Sequence, residues 1–231
     1  MNSLPSPAPA IIGAQGISRR DALSGQVLLQ PTDFSLQGGE RVALTGRSGS
    51  GKSVLLRALA LLDPLDAGGL LWRGATLGRD DIPRYRRHVG YLGQRPALFE
   101  GTVEDNLRYP YSLKVSGPYG FDRGQVLALL EQAGRGAAFL AQRASELSGG
   151  EAQITAMVRT LQLRPHVLLL DEPTASLDPE SAQRVEQLVG HWLHANTAAR
   201  AFVWVSHDPQ QASRVSNRRV QMAAGVLSEA P

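Results

Sequence analysis

The apolar and polar positions divide the chain into short apolar runs near both ends and a longer helix-patterned stretch between them. "RVALTG", Arg41 to Gly46, is a β-rich run that stops at a glycine, and "KSVLLRALALL", Lys52 to Leu62, follows with the spacing of a helix. Together they predict a strand, a glycine loop and a helix in succession. "LLWRG" (Leu70–Gly74) and "HVGYLGQ" (His88–Gln94) predict two more short strands. Helix formers dominate from Thr102 to Arg164, including "RGQVLALLEQAG" and "GEAQITAMVRTLQL". "HVLLLDE", His166 to Glu172, is a continuous apolar run closed by two acids, the mark of a strand covered on both faces. "DPESAQRVEQLVGHWLHA" predicts an amphipathic helix entered through Asp178-Pro179, with proline in its first turn. "AFVWVSHD" predicts one more buried strand. Strands early and late predict an α/β core built from both ends of the chain, with an inserted helical lobe. No internal repeat is present.

Composition narrows the class. A chain of 231 residues suffices for one substantial core with a smaller lobe attached. Its 42% hydrophobic and 19% charged content belongs to an ordinary globular protein. The net charge is +3, and no Lys/Arg run is long enough for a nucleic-acid footprint, so no nucleic-acid partner is expected. "YRRH" (Tyr85–His88) and "NRRV" (Asn217–Val220) read as solvated faces. The lack of cysteine excludes disulfides and thiolate metal sites, which suits a reducing cytoplasm. Residues 1–10, "MNSLPSPAPA", carry neither a basic n-region nor an apolar h-region and read as a disordered leader. The apolar runs fall far short of the roughly eighteen residues that span a bilayer, so the chain itself is expected to be soluble.

"GRSGSGKS", Gly46 to Ser53, matches the phosphate-loop pattern and sits between a predicted strand and a predicted helix, the context that pattern requires. Glycines let such a loop curl its amides toward phosphate oxygens, and the next helix start adds a positive dipole end. Lys52 would reach the β- and γ-phosphates, and the Ser53 hydroxyl would ligate Mg²⁺. Asp171 and Glu172 end an apolar strand where α/β sheets bind ligands. They suit a metal-holding acid and a general base, respectively. His207 and Gln94 also end predicted strands. Histidines and glutamines there are commonly ordinary surface residues, so position alone makes them candidates. His88, His166, His191 and His194 receive no role. In "ELSGGEAQITAMVRTL" (Glu146–Leu161), Ser148 and Glu151 have the spacing of a capping box, which by itself only starts a helix.

Taken in order, "GRSGSGKS", Gln94, "LSGGE", "VLLLDEPT", "SLD" (Ser176–Asp178) and "SHD" resemble the ATP-binding subunit of ABC transporters over nearly the whole chain after the leader. The resemblance implies a P-loop NTPase (RecA-like) α/β core with an inserted α-helical subdomain and an N-terminal antiparallel β subdomain. The ABC ATPase domain would cover residues 11–231, with 11–94 and 165–231 as core and 95–164 as helical subdomain. Glu172, His207 and Lys52 would be catalytic. ATP would touch Gly46, Arg47, Ser48, Gly49, Ser50, Gly51, Lys52, Ser53 and Gln94 of one chain. It would also touch Ser148, Gly149, Gly150, Glu151 and Asp178, with "LSGGE" supplied in trans by a second subunit. Mg²⁺ would be held by Ser53, Gln94 and Asp171. The implied partners are a second ATPase subunit, forming a homodimer, and a separate transmembrane permease. The implied location is cytoplasmic, peripheral on the inner face of the membrane.

The sequence also departs from the family pattern. No aromatic residue lies between Ile11 and Asp33 to stack on adenine, and Arg19 or Arg20 falls near that position. Glu151 replaces a commoner glutamine, Ile154 a common arginine and Val54 a common threonine, while Ser148, Gly149, Gly150 and Ser53 are intact. "RPALFEGTVEDNLRYPY" (Arg95–Tyr111) looks more like exporter than importer ATPases, and Leu98 and Phe99 are candidates to line a groove for a permease helix. The chain is similar to the ATPases of bacterial iron exporters. ATPases for mechanotransmission, lipoprotein release or efflux complexes would look nearly the same. Non-transport ABC ATPases of DNA repair or translation would carry a coiled-coil insertion or a second phosphate loop, and this chain has neither.

Overall fold

The computed structural model describes residues 9–114 and 120–230. Residues 1–8 of the expected leader lie outside the described residues. The amino-terminal part pairs as an antiparallel sheet of β1 (Ile12–Arg20), β2 (Val27–Leu36), β4 (Ala67–Trp72) and β5 (Ala75–Thr76), in the order β2-β1-β4-β5. β1 buries Ile12, Ala14 and Ile17, a change of parity made possible by an irregularity between Ala14 and Ile17. Gly16 sits there with φ +57°. Arg73 and Gly74, both at positive φ, make the two-residue turn between β4 and β5.

The second sheet runs β10-β9-β3-β8-β7-β6, from β3 (Arg41–Thr45), β6 (Val89–Leu92), β7 (Val167–Asp171), β8 (Ala201–Val205), β9 (Arg218–Ala223) and β10 (Val226–Glu229). All neighbours are parallel except β9 and β10, which form a hairpin. Every residue of β7 and β8 is buried, as the unbroken apolar runs require. Their alternate side chains feed two cores. Leu169, Val203 and Val205 meet α1 (Lys52–Leu59) and the antiparallel sheet. Leu168, Leu170, Phe202 and Trp204 meet the helical side.

That side contains α3 (Val103–Arg108), α4 (Arg123–Gln132), α5 (Gly149–Leu161) and α6 (Pro179–His194). Helix α6 buries Val185, Leu188, Val189, Trp192 and Leu193, a stripe at helical spacing. Asp178 accepts the Ser181 amide at 2.9 Å as its N-cap, with Pro179 in the first turn. Two short helices, α2 (Ile82–His88) and α7 (Pro209–Val215), complete the chain.

Two basic stretches expected to be solvated faces are corrected at one residue each, Arg86, Asn217 and Arg219 being exposed as expected. In "YRRH" Tyr85 is buried and donates to the Leu59 carbonyl at 2.5 Å. In "NRRV" Arg218 is a half-buried cross-link. It donates to Glu229 at 2.6 Å and to the Ser35 carbonyl at 2.8 Å, and lies over the Phe34 ring. Tyr85 packs edge-on against Trp72 in the core and Arg218 covers the Phe34 ring, which charge counting alone does not reveal.

Candidate functional site

Four neighbouring strands, in the order β3-β8-β7-β6, end on the same edge of the sheet, and each hands over to a candidate residue. β3 leads into Gly46–Ser53, β8 into His207, β7 into Asp171 and Glu172, and β6 into Gln94. Such a row of carboxyl ends is where open α/β sheets bind ligands.

The loop after β3 is held tightly from behind. A Cβ on Gly46 (φ +141°) would lie 2.2 Å from the Met222 carbonyl oxygen, so only glycine fits. The Gly225 amide donates to Ser50 O at 2.9 Å, and Gln30 N donates in turn to Gly225 O at 2.9 Å. The β9–β10 turn and β2 thus brace the loop from the other side. Lys52 is 5% exposed, and its ammonium donates to the carbonyls of Gly46 (2.9 Å) and Arg47 (3.0 Å). Burial pulls the Lys52 pKa below its ordinary value, opposed by Glu172 and Asp171.

Ser50 Oγ is buried without a hydrogen-bond partner, and no side chain caps the start of α1. No acid stands in its first turn either. A glycine cradle, a buried unpartnered hydroxyl, a lysine and an uncompensated helix start fit a phosphate chain.

Opposite the loop, Glu172 is the hub. One of its oxygens receives Gln94 Nε2 at 2.9 Å and the other lies 2.5 Å from His207 Nε2. Its backbone is left-handed (φ +51°), a conformation costing a non-glycine residue about 1–2 kcal/mol and commonest at functional turns. Asp171, one residue earlier, is buried, and Tyr91 Oη approaches it at 3.4 Å. Burial, and then the charge of Asp171, push the Tyr91 phenol up to about 12, so it is a donor. Tyr91 was not anticipated, although "HVGYLGQ" places it three residues before Gln94. Ser53 is exposed beside Lys52. A hydroxyl and a carboxylate are hard oxygen donors and fit Mg²⁺.

The LSGGE segment starts α5. Ser148 and Glu151 form the expected capping box: Ser148 Oγ accepts Glu151 N at 3.3 Å, and Glu151 Oε2 accepts Ser148 N at 3.0 Å. Ser148 Oγ also donates to Glu151 Oε2 at 2.8 Å, and Arg135 stands 3.9 Å from the other carboxylate oxygen. Gly149 and Gly150 pack on the Ser176–Leu177 turn, where a Cβ on Gly150 would lie 3.0 Å from Leu177 and 3.1 Å from Ser176 O. Among the described residues no hydrogen bond or ion pair joins Ser148–Glu151 to Gly46–Ser53 of the same chain. Asp178 is occupied as the α6 cap.

The departures from pattern are absorbed by packing. Ile154 is buried in the helical core and Val54 leans on the other core. Arg19 is paired with Asp66 at 3.3 Å, and Arg20 donates through its backbone to the same carboxylate at 2.7 Å. Phe99 is exposed and tilted against Tyr109, with ring centroids 4.7 Å apart.

A family profile described as ABC transporter matches residues 29–175. The chain belongs to the ABC transporter family. As a member it binds and hydrolyses ATP. It is 40% identical over 218 residues to Protein STAR1 of Oryza sativa subsp. japonica, covering 94% of this chain and 62% of that one. The chain thus spans less than two thirds of the rice protein's length. The Escherichia coli (strain K12) protein named "Probable iron export ATP-binding protein FetA" is 35% identical over 204 residues, 88% of each chain. "Phosphate import ATP-binding protein PstB 2" of Natronomonas pharaonis is 34% identical over 257 residues, all of this chain and 89% of that one. Relatives named for import and for export therefore both occur. Among solved structures, the ATP-binding cassette MJ0796 bound to ADP and Pi superposes with a TM-score of 0.82. It is 24% identical and covers 94% of this chain and 98% of that chain. This ABC ATPase has the P-loop NTPase cassette fold, with the antiparallel sheet in place. No helix among the described residues is long and apolar enough to cross a membrane.

Proposed function

We propose that this ABC ATPase is the energy-supplying subunit of an exporter. It sits on the cytoplasmic face of a membrane, dimerises on ATP and drives a separate permease chain. The observation that carries the reading is the Glu172 carboxylate held between Gln94 and His207 across from Lys52. Lys52 releases its two loop carbonyls to hold the β- and γ-phosphates, joined by the amides of Gly46–Ser53 and by Ser50 Oγ. Glu172 accepts a proton from the attacking water, with His207 Nε2 and Gln94 Nε2 fixing the carboxylate and then the transferred phosphoryl group. Ser53, Asp171 and Gln94 would hold Mg²⁺, which neutralises charge on the phosphates when bound.

Ser148, Gly149 and Gly150 have no hydrogen bond or ion pair to their own phosphate loop among the described residues, so they are read as serving the loop of a second copy, with Asp178 beside that seam. Glu172→Gln is expected to abolish turnover while retaining an ATP-dependent dimer. Undiminished turnover would remove Glu172 from the role of base.

Direction and cargo rest on the FetA likeness and on the "LFEGTVEDN" segment, with Phe99 and Tyr109 as the apolar surface offered to a permease. The cargo proposed is iron. Everted vesicles holding this ATPase and its permease are expected to accumulate iron on ATP addition. ATP-dependent phosphate movement in the opposite sense would instead favour the import reading that the PstB 2 likeness supports.

A further inference from the structure

We propose that Gln211 is a positioning residue that locks the Glu172 turn and the His207 turn together, and so sets the geometry of the hydrolytic pair. This rests on the reading of Glu172 and His207 given above. The two residues lie on turns that leave adjacent strands, and backbone pairing stops at Asp171 and Val205, before either is reached. Beyond that point Gln211, on α7 and only 8% exposed, bridges the turns by side-chain bonds. Its Oε1 accepts from Ser206 Oγ, the neighbour of His207, at 2.8 Å. Its Nε2 donates to Thr174 Oγ1, two residues past Glu172, at 2.9 Å, and to Glu186 Oε1 of α6, also at 2.9 Å. Ser206 Oγ in turn accepts the Asp208 amide at 3.0 Å, so its bonds bracket His207 on both sides.

An amide is the side chain this place requires, with one acceptor toward a hydroxyl and two donors toward a hydroxyl and a carboxylate. Burial raises the Glu186 pKa, but bonds from Arg214 and Gln211 outweigh it and keep the carboxyl below its ordinary value. Arg214 grips both Glu186 oxygens at 2.8 Å. A carboxylate at position 211 would face that anion at bonding distance and push α7 away from α6. Among the described residues Gln211 has no hydrogen bond to Glu172 or His207, so its influence passes through Thr174 and Ser206.

The test compares Gln211→Leu, Gln211→Glu and the double variant Gln211→Glu with Glu186→Gln, using Glu172→Gln and His207→Ala as references. ATPase kinetics, fluorescent-nucleotide Kd and Tm are read on each. Gln211→Leu is expected to lower kcat about tenfold, with KM and Kd almost unmoved, the result of misplacing catalytic groups without touching the nucleotide. Gln211→Glu should fall similarly at neutral pH and recover in the double variant, which restores one amide and one carboxylate. Unchanged kcat in Gln211→Leu, alongside lost turnover in His207→Ala, overturns the proposal and leaves the catalytic reading standing. Full turnover in His207→Ala removes the catalytic reading and the proposal with it. If Gln211→Leu folds poorly, the double variant decides, and no recovery there also overturns the proposal.

Discussion

Ser148 gives its hydroxyl proton to Glu151 at 2.8 Å and receives the Glu151 amide in return, so the residue expected to meet a foreign phosphate is tied to an anion. These Ser148 bonds hold the Glu151 carboxyl below the usual carboxylate range, with Arg135 adding to the effect. A negative charge in the first turn stabilises α5 by about 0.3–1 kcal/mol, and it opposes a second anion at the same helix end. Glutamine can keep the reciprocal bonds without the charge. Glu151→Gln is therefore expected to lower Tm slightly and to tighten the ATP-dependent dimer. Sedimentation in a Glu172→Gln background measures this, and an unchanged dimer constant would show that the charge does not matter.

Gly150 touches the turn that carries Asp178 closely enough for a single methyl group to matter. Its φ lies outside the left-handed region, so the glycine answers to space and not to backbone conformation. In an open helix Gly→Ala gains up to about 1 kcal/mol. Here the added methyl would stand 3.0 Å from Leu177 and 3.1 Å from Ser176 O, and overpacking costs about 1–3 kcal/mol. Gly150→Ala is expected to lower both Tm and ATPase activity. A raised Tm would mean that the turn yields freely.

The signals that were legible share one property: each needs only its own neighbours. The phosphate loop, the wholly buried β7 and β8, the α6 stripe and the Ser148 box are all local patterns. β1 escaped periodicity reading because its irregularity at Gly16 moves the buried set from Ile12 and Ala14 to Ile17. The β9–β10 hairpin turns on Ala224 and Gly225, and Ala224 at φ +47° is an uncommon turn residue. Gln94 and His207 were visible as strand-end candidates. Their meeting on Glu172 depends on the strand order β8-β7-β6, which no local pattern encodes. The Met222 carbonyl behind Gly46 and the Gln211 bridge are likewise products of topology.

Arg218 joins β9 to β10 and to the antiparallel sheet, and the β9–β10 turn braces the phosphate loop. Bonds to Glu229, and to a lesser degree Glu40, raise its pKa, and Phe34 packs beneath the guanidinium. A planar fork serves Glu229, Ser35 O and the ring at once, whereas an ammonium cannot. Arg218→Ala is expected to cost about 1–3 kcal/mol in urea unfolding, with Arg218→Lys recovering only a minor part. Equal stability of the lysine variant and the parent would refute the fork argument.

At the far end of β6 and β7, His88 Nδ1 and His166 Nδ1 stand 3.0 Å apart, with Trp72 stacked on the His88 ring. Burial, then Arg73, His88 and Arg200, push His166 down to about 4 from an ordinary 6.5. His88 is lowered as well, by burial and then by Arg87, Arg73 and Arg84. Because the folded pKa of His166 lies below the unfolded one, the unfolded chain binds more protons between those values. The contribution is complete above about pH 6.5 and is lost as pH falls toward 4. The urea midpoint of the parent should therefore drop across this window. In His166→Gln, which keeps a side-chain partner for His88 but does not titrate, the drop should be shallower. Carboxylates that titrate at the acid end act on both proteins and cancel in the difference. Parallel midpoint curves for parent and variant would show that the histidine pair takes up its protons without resisting them.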